Sequence, residues 1–267
     1  MRKFTKKSVA LTILLVMIIS VIPLSANAVK VGDVIGYAQP TDIVATINGY
    51  MLESYNVNGY TYICAEDLRY YGFNVVFDYN TKILSVKRNS SYQINPQVAN
   101  PKFWSIGSKK SNTSILYTNI VTYVNDSYVA SCNINGQTII NFSELSRFGS
   151  VNYNNNKREI SLDLAGVNRN PLADFAAQNE ASFNKSNDWS ARLRAKGDVL
   201  TITYTSKHYY NLSDIKNYQQ FVDAVRSSRA SFQSYLSSIK SSTTVSSIYV
   251  EYCVGNGDVI TSLQIYW

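Results

Sequence analysis

The chain contains a copy of itself, and that constrains its fold more than any other feature. Shifted by 77 residues, positions 42–72 match positions 119–149 at 11 of 31 places, among them Ile43-Val44 with Ile120-Val121, Asn58-Gly59 with Asn135-Gly136, and Gly72 with Gly149. After a one-residue deletion, Leu84-Ser85-Val86 runs opposite Ile160-Ser161-Leu162. A repeat of this length is one supersecondary unit used twice.

Within each copy the pattern predicts strands. Asn48-Gly49 and Asn58-Gly59 fall between alternating runs, a strong hairpin signal. Residues 65–72 then read as a short helix, with Glu66 and Asp67 in its first turn, Leu68 and Tyr71 on one face, and Gly72 at the left-handed position after it. A second hairpin, residues 74–77 and 83–87, completes a small antiparallel sheet covered by one helix. Comparison of the copies sorts the faces of the strand at 60–64. Thr61 and Ile63 recur as Thr138 and Ile140, whereas Tyr60, Tyr62 and Cys64 give way to Gln137, Ile139 and Asn141. By the period of two, the recurring face is assigned to the core. Tyr60 and Tyr62, with Tyr70 nearby, are then candidate ligand-binding residues on the exposed face, suited to stacking on sugars or packing on peptides.

These residues resemble a known family, the copper amine oxidase N-terminal-domain-like modules of exported Gram-positive proteins. The resemblance is carried by Ile47-Asn48-Gly49, Asn58-Gly59-Tyr60-Thr61-Tyr62-Ile63, Ala65-Glu66-Asp67-Leu68, Tyr71-Gly72-Phe73 and Val76-Phe77-Asp78, over residues 31–88 and more weakly 115–164. Copy two departs from it at Ser143 and Asn154. The resemblance implies a stalk-type module with a spacer, adhesion or binding role. Copper chemistry does not come with it: in the full oxidases copper belongs to a separate catalytic domain with His ligands and a modified Tyr, and this sequence holds one His.

Residues 1–28 read as a secretory signal peptide: Arg2, Lys3, Lys6 and Lys7, an apolar run over 9–22, then Ala26-Asn27-Ala28. The formal net charge of +7 is therefore largely a targeting feature; from residue 29 onward 21 basic side chains face 18 acidic ones, a net of +3. Without a one-sided field a nucleic-acid partner is not expected, and the local basic clusters are Lys109-Lys110 and Arg192/Arg194/Lys196. No membrane span is expected after cleavage. Cys64, Cys132 and Cys253 lie in three separate segments, which argues against a disulfide framework. The polar stretch 89–113, with Pro96 and Pro101, reads as a connector pinned by Phe103-Trp104.

The expected organisation is signal peptide 1–28, first stalk-type module 29–88, connector 89–113, second module 114–166 and a C-terminal α+β domain 167–267. The last part predicts a helix at 172–183, a hairpin over 191–204 turning at Lys196-Gly197-Asp198, a long helix through 215–239 and a hairpin over 247–267 turning at 255–258. Its order resembles a small uncharacterised domain at the C-termini of secreted Gram-positive proteins, with Asp198-Val199-Leu200 and Asn256-Gly257-Asp258 as the similar points.

Catalytic motifs are scarce. His208 has no Gly-x-Ser-x-Gly elbow to serve. Ser237-Ser238-Ile239-Lys240 lacks the companion motifs of penicillin-recognising enzymes, and the Glu66-Asp67 pair has a helix-dipole explanation. No catalytic residue, metal ligand or cofactor is assigned. The expectation is an α+β, secreted and wall-associated, non-catalytic envelope protein whose tandem modules present a C-terminal domain that binds a protein, a peptide or a wall polymer. The alternative is a wall-remodelling accessory enzyme using acids such as Asp198, Glu251 or Asp258.

Overall fold

Ile63 and Ile140 hold equivalent places in the two copies and lie directly opposite each other in one antiparallel strand pair. The computed structural model describes residues 29–95 and 113–267; the signal peptide expected over 1–28 and the residues Phe103-Trp104 lie outside them. Copy one runs β1 (Val34–Ala38), β2 (Val44–Ile47), β3 (Tyr50–Leu52), β4 (Ser54–Val57), β5 (Tyr60–Cys64), a 3₁₀ helix (Glu66–Tyr70), β6 (Phe73–Asp78) and β7 (Ile83–Arg88). Copy two repeats the order as β8 (Thr113–Leu116), β9 (Val121–Val124), β10 (Ser127–Val129), β11 (Ser131–Ile134), β12 (Gln137–Asn141), a 3₁₀ helix (Phe142–Arg147), β13 (Val151–Asn154) and β14 (Glu159–Leu162).

The two copies are not self-contained sheets. Each lends its first hairpin to the last hairpin of the other: β7 pairs in parallel with β9 (Ile83↔Val121), and β14 pairs in parallel with β2 (Glu159↔Val44). These registers interchange when the copies are swapped, so a pseudo-two-fold axis relates the halves. Three- to six-residue strands cannot bury an apolar face alone, and exchange gives them one shared core. That core takes Ile47, Leu68 and Leu84 from copy one and Val124, Leu145 and Leu162 from copy two, all at most 1% exposed.

The remaining strands form a six-stranded sheet in the order β1-β8-β11-β12-β5-β4. Its free edges meet at a Gln39↔Asn56 bridge, the counterpart of Leu116↔Asn133 between β8 and β11. The sheet thereby closes into a small barrel with Tyr55, Cys64, Ile115, Cys132 and Ile139 clustered in its interior. This corrects the assignment of faces on β5. Ile63 is in the shared core as expected, but the opposite face is the barrel interior: Cys64 is buried, Tyr62 is half-buried against the same cluster, and Tyr60 alone of that row is exposed. The thiols of Cys64 and Cys132 are free. Both strands flank Ile139 in register, which sets the two cysteines about 10 Å apart, beyond disulfide reach.

The C-terminal segment consists of α1 (Pro171–Phe183), β15 (Trp189–Lys196), β16 (Val199–Ser206), α2 (Tyr218–Ser227), α3 (Arg229–Ile239), β17 (Ser247–Cys253) and β18 (Val259–Tyr266). The order along the sheet is β15-β16-β17-β18, with a parallel central pair. The single long helix expected over 215–239 breaks at Ser228. There the hydroxyl donates to the Val225 carbonyl, competing with the helical ladder. One face of the sheet, with Leu193, Ile202 and Val250, packs against Leu172, Val225 and Leu236 of the three helices. Helix side chains also occupy both sheet edges. Asn184, just past α1, exchanges two 2.7 Å hydrogen bonds with the Ala191 backbone, and Glu180 accepts from the Leu193 amide. Along β18 the carbonyls of Ile260, Gln264 and Tyr266 accept from Tyr218, Arg229 and Gln233. Edges blocked in this way resist strand addition.

The C-terminal part is not a separate body; Val31–Trp267 form one compact unit. The β2–β3 turn joins the parts. Asn48, at φ 49°, is buried; its side-chain nitrogen donates to the carbonyls of Leu164 and Val167 and its oxygen accepts from the Leu164 amide at 2.6 Å. Gly49 is required because a Cβ there would lie 2.9 Å from Ala173 Cβ on α1. The second copy has Asp126 at this place, on an exposed turn against which no helix docks.

Two predictions follow from this arrangement. A chain truncated to residues 29–95 will not fold as a monomer, because β2 and β7 lose β14 and β9, and β1 and β5 lose β8 and β12; a folded monomer by light scattering and circular dichroism would contradict the exchange. Asn48→Ala is expected to cost about 3 kcal/mol, the Leu164 amide and the Val167 carbonyl being left unpaired and the Leu164 carbonyl keeping only a 3.4 Å bond from the Val167 amide. The equivalent Asn125→Ala, on an exposed turn, should cost about 1 kcal/mol through its left-handed backbone alone. Urea denaturation of the two variants measures the difference.

Candidate functional site

The second face of the C-terminal sheet is polar. Along β15 it presents Ser190, Arg192, Arg194 and Lys196; along β16 it presents Thr201, Thr203 and Thr205, and along β17 Tyr249, Glu251 and Cys253, by strict alternation with the core residues. Part of this face docks on the repeat pair. Lys196 is 1% exposed and has the Glu53 carboxylate nearby, itself bonded by the Tyr55 hydroxyl at 2.5 Å. Burial lowers the Lys196 pKa to about 8, with Glu53 pulling it the other way. The buried Arg194 donates to Glu159 at 3.2 Å and to the Lys157 carbonyl. The third basic residue of the row, Arg192, is half-buried and, among the described residues, makes no hydrogen bond or ion pair.

Arg192 opens into a cleft of about 1010 Å³ between the sheet and the repeat pair. The sheet contributes Thr203, Thr205 and Glu251; the repeat pair contributes Asp42, Asn56 and Arg158. Glu251 is 1% exposed and accepts from the Thr203 hydroxyl at 2.9 Å. Arg158, at the β13–β14 turn, grips both oxygens of Asp42 at 2.9–3.2 Å, and that hydrogen bonding holds the Asp42 carboxyl below its usual range. Among the described residues no aromatic side chain lines this cleft.

The residues singled out in the sequence lie elsewhere. Tyr60 is 62% exposed at the start of β5, Tyr62 is half-buried with its phenol pKa raised by burial, and Tyr70 is 38% exposed at the end of the 3₁₀ helix. Glu66 turns inward, accepting from the Thr138 amide of the other copy at 3.0 and 3.1 Å. The three acids of the enzyme alternative do not meet. Asp198 adjoins the Val199↔Ser247 end of the parallel pair, whereas Asp258 adjoins the Cys253 end, about 20 Å away along β17. Of the three, Glu251 alone lines the cleft. His208 pairs with Asp188 on the surface, Ser237 donates to the Gln233 carbonyl, and Lys240 sits 3.4 Å over the Trp267 ring. The cleft residues Asp42, Asn56, Arg158 and Thr205 went unnoticed in the sequence. The available signal was the alternation of charge and threonine opposite a fully apolar row, which marks a sheet with a second, covered face.

No protein-family model, curated protein or solved structure matches this chain. Among the described residues no helix is long and apolar enough to cross a membrane.

The docked lysine gives a pH signature. Its folded pKa near 8 lies below the ordinary value of 10.5, so between these the unfolded chain binds more protons and stability rises with pH. Buried Cys132, pushed up to about 11, and Cys64, pushed up further, act in the opposite sense. The stability difference between wild type and Lys196→Met isolates the lysine. It should move in favour of wild type from about pH 8 to pH 10 in urea titrations; a flat difference would remove the docked charge from the account.

Proposed function

We propose that this protein is an exported, non-catalytic component of the bacterial cell envelope, in which the interlocked repeat pair is a stalk-type platform and the cleft it forms with the C-terminal sheet is the binding site. The observation that carries the reading is the cleft itself: about 1010 Å³ of polar space whose two walls come from the two parts of the chain, large enough for a small ligand or a polymer segment. The separation of Asp198 from Asp258 and the local engagement of His208, Ser237 and Lys240 support binding over catalysis. The export signal and the likeness to stalk-type modules support the envelope location.

The chain from residue 29 should be retained by purified cell-wall sacculi or by envelope-protein extract. Thr205→Trp, which fills the cleft from a half-buried position on its floor, should abolish retention with little change in melting temperature. Replacing Tyr60 and Tyr70 with Ser should leave retention intact. Failure of both materials to retain the wild-type chain, or retention indifferent to Thr205→Trp, would overturn the reading.

A further inference from the structure

Three hydrogen-bond donors face this cleft from three strands with nothing to donate to. The Arg192 side chain on β15 makes no hydrogen bond or ion pair among the described residues, though its charge acts on Asp42, and the Thr205 hydroxyl on β16 makes no hydrogen bond among them. Asn56 on β4 accepts from the Gly59 amide through its side-chain oxygen, while its nitrogen donates to no described group. A guanidinium, a hydroxyl and an amide nitrogen converging on one space call for a ligand that is rich in acceptors and anionic.

The charges around them narrow the class. Arg158 is already committed to Asp42, so among the described residues lining the cleft Arg192 is the one cation without a hydrogen bond or ion pair, and it stands among the acids Asp42, Glu180 and Glu251. A polyanion such as a phosphodiester polymer would place further negative charge against those carboxylates. A single carboxylate needs one guanidinium, whose planar fork matches its two oxygens. Among the described residues no aromatic platform lines the cleft to supply the stacking surface on which sugar rings are usually held. What remains is a peptide-like acceptor.

We propose, resting on the reading of the cleft as a binding site, that it captures the C-terminal carboxylate of a short peptide. Arg192 pairs with the carboxylate, and Thr205 and Asn56 donate to it and to the last peptide carbonyl. The blocked sheet edges agree with this mode, since they leave an end-on contact in place of strand addition.

The test is a titration of the chain from residue 29 with trialanine and with trialanine amide, followed by nuclear magnetic resonance. The free acid should perturb the resonances of Arg192 and Thr205, and the amide should bind roughly tenfold or more weakly, the loss of one charge-assisted pair. Arg192→Gln should weaken the acid by a similar factor and leave the amide unchanged. The acid-against-amide comparison uses the wild-type chain, so it does not depend on the variant folding. Equal binding of acid and amide, binding of neither, or tighter binding of inorganic phosphate than of trialanine would each overturn the proposal. If wall or envelope retention sensitive to Thr205→Trp persists in those cases, the carboxylate assignment alone fails; if it is absent, the reading of the cleft fails with it.

Discussion

Pairing of β5 with β12 across the pseudo-two-fold axis, centred on Ile63 and Ile140, is the constraint on which everything else rests. It joins the copies at their middle, so that each first hairpin is delivered to the partner's last hairpin and the six remaining strands can close on themselves. Neither copy has a complete core of its own: Leu68 and Leu145 are both fully buried in one cluster fed by both copies. The arrangement is the intramolecular form of a strand-exchanged dimer, with residues 89–113 as the covalent link.

Once the symmetric pair exists, the C-terminal domain breaks its symmetry. It docks on the β2–β3 turn of copy one, where Gly49 admits α1 and Asn48 ties down the approaching chain. Arg194 and Lys196 complete the contact as buried or nearly buried charges with partners on the repeat pair. Such charges are costly to desolvate and fix geometry more than they add stability. Because the same strand row continues past the contact, the residue after the docked pair, Arg192, is left over a cleft. Docking and site are one feature.

Much of the architecture was legible in the sequence. The repeat, the Asn-Gly hairpins, α1, the β15–β16 hairpin and the terminal hairpin all follow from period and turn chemistry, which act over a few residues. The misread strand faces depend on partners distant in the chain. Tyr62 looked like part of an outer face because a sheet's second side is exposed unless something covers it, and here the cover is the sheet itself, curled into a barrel. The helix break at Ser228 was hidden within a continuous apolar pattern.

Two copies of one strand-rich unit and an α+β tail were set by the sequence, because residue identity and spacing are local properties. Tertiary structure alone decided which hairpin pairs with which, that Arg194 and Lys196 are docking charges, and that Arg192, Thr205 and Asn56 face one space. Those are matters of register and of approach between segments from tens to more than a hundred residues apart, and no local pattern carries them.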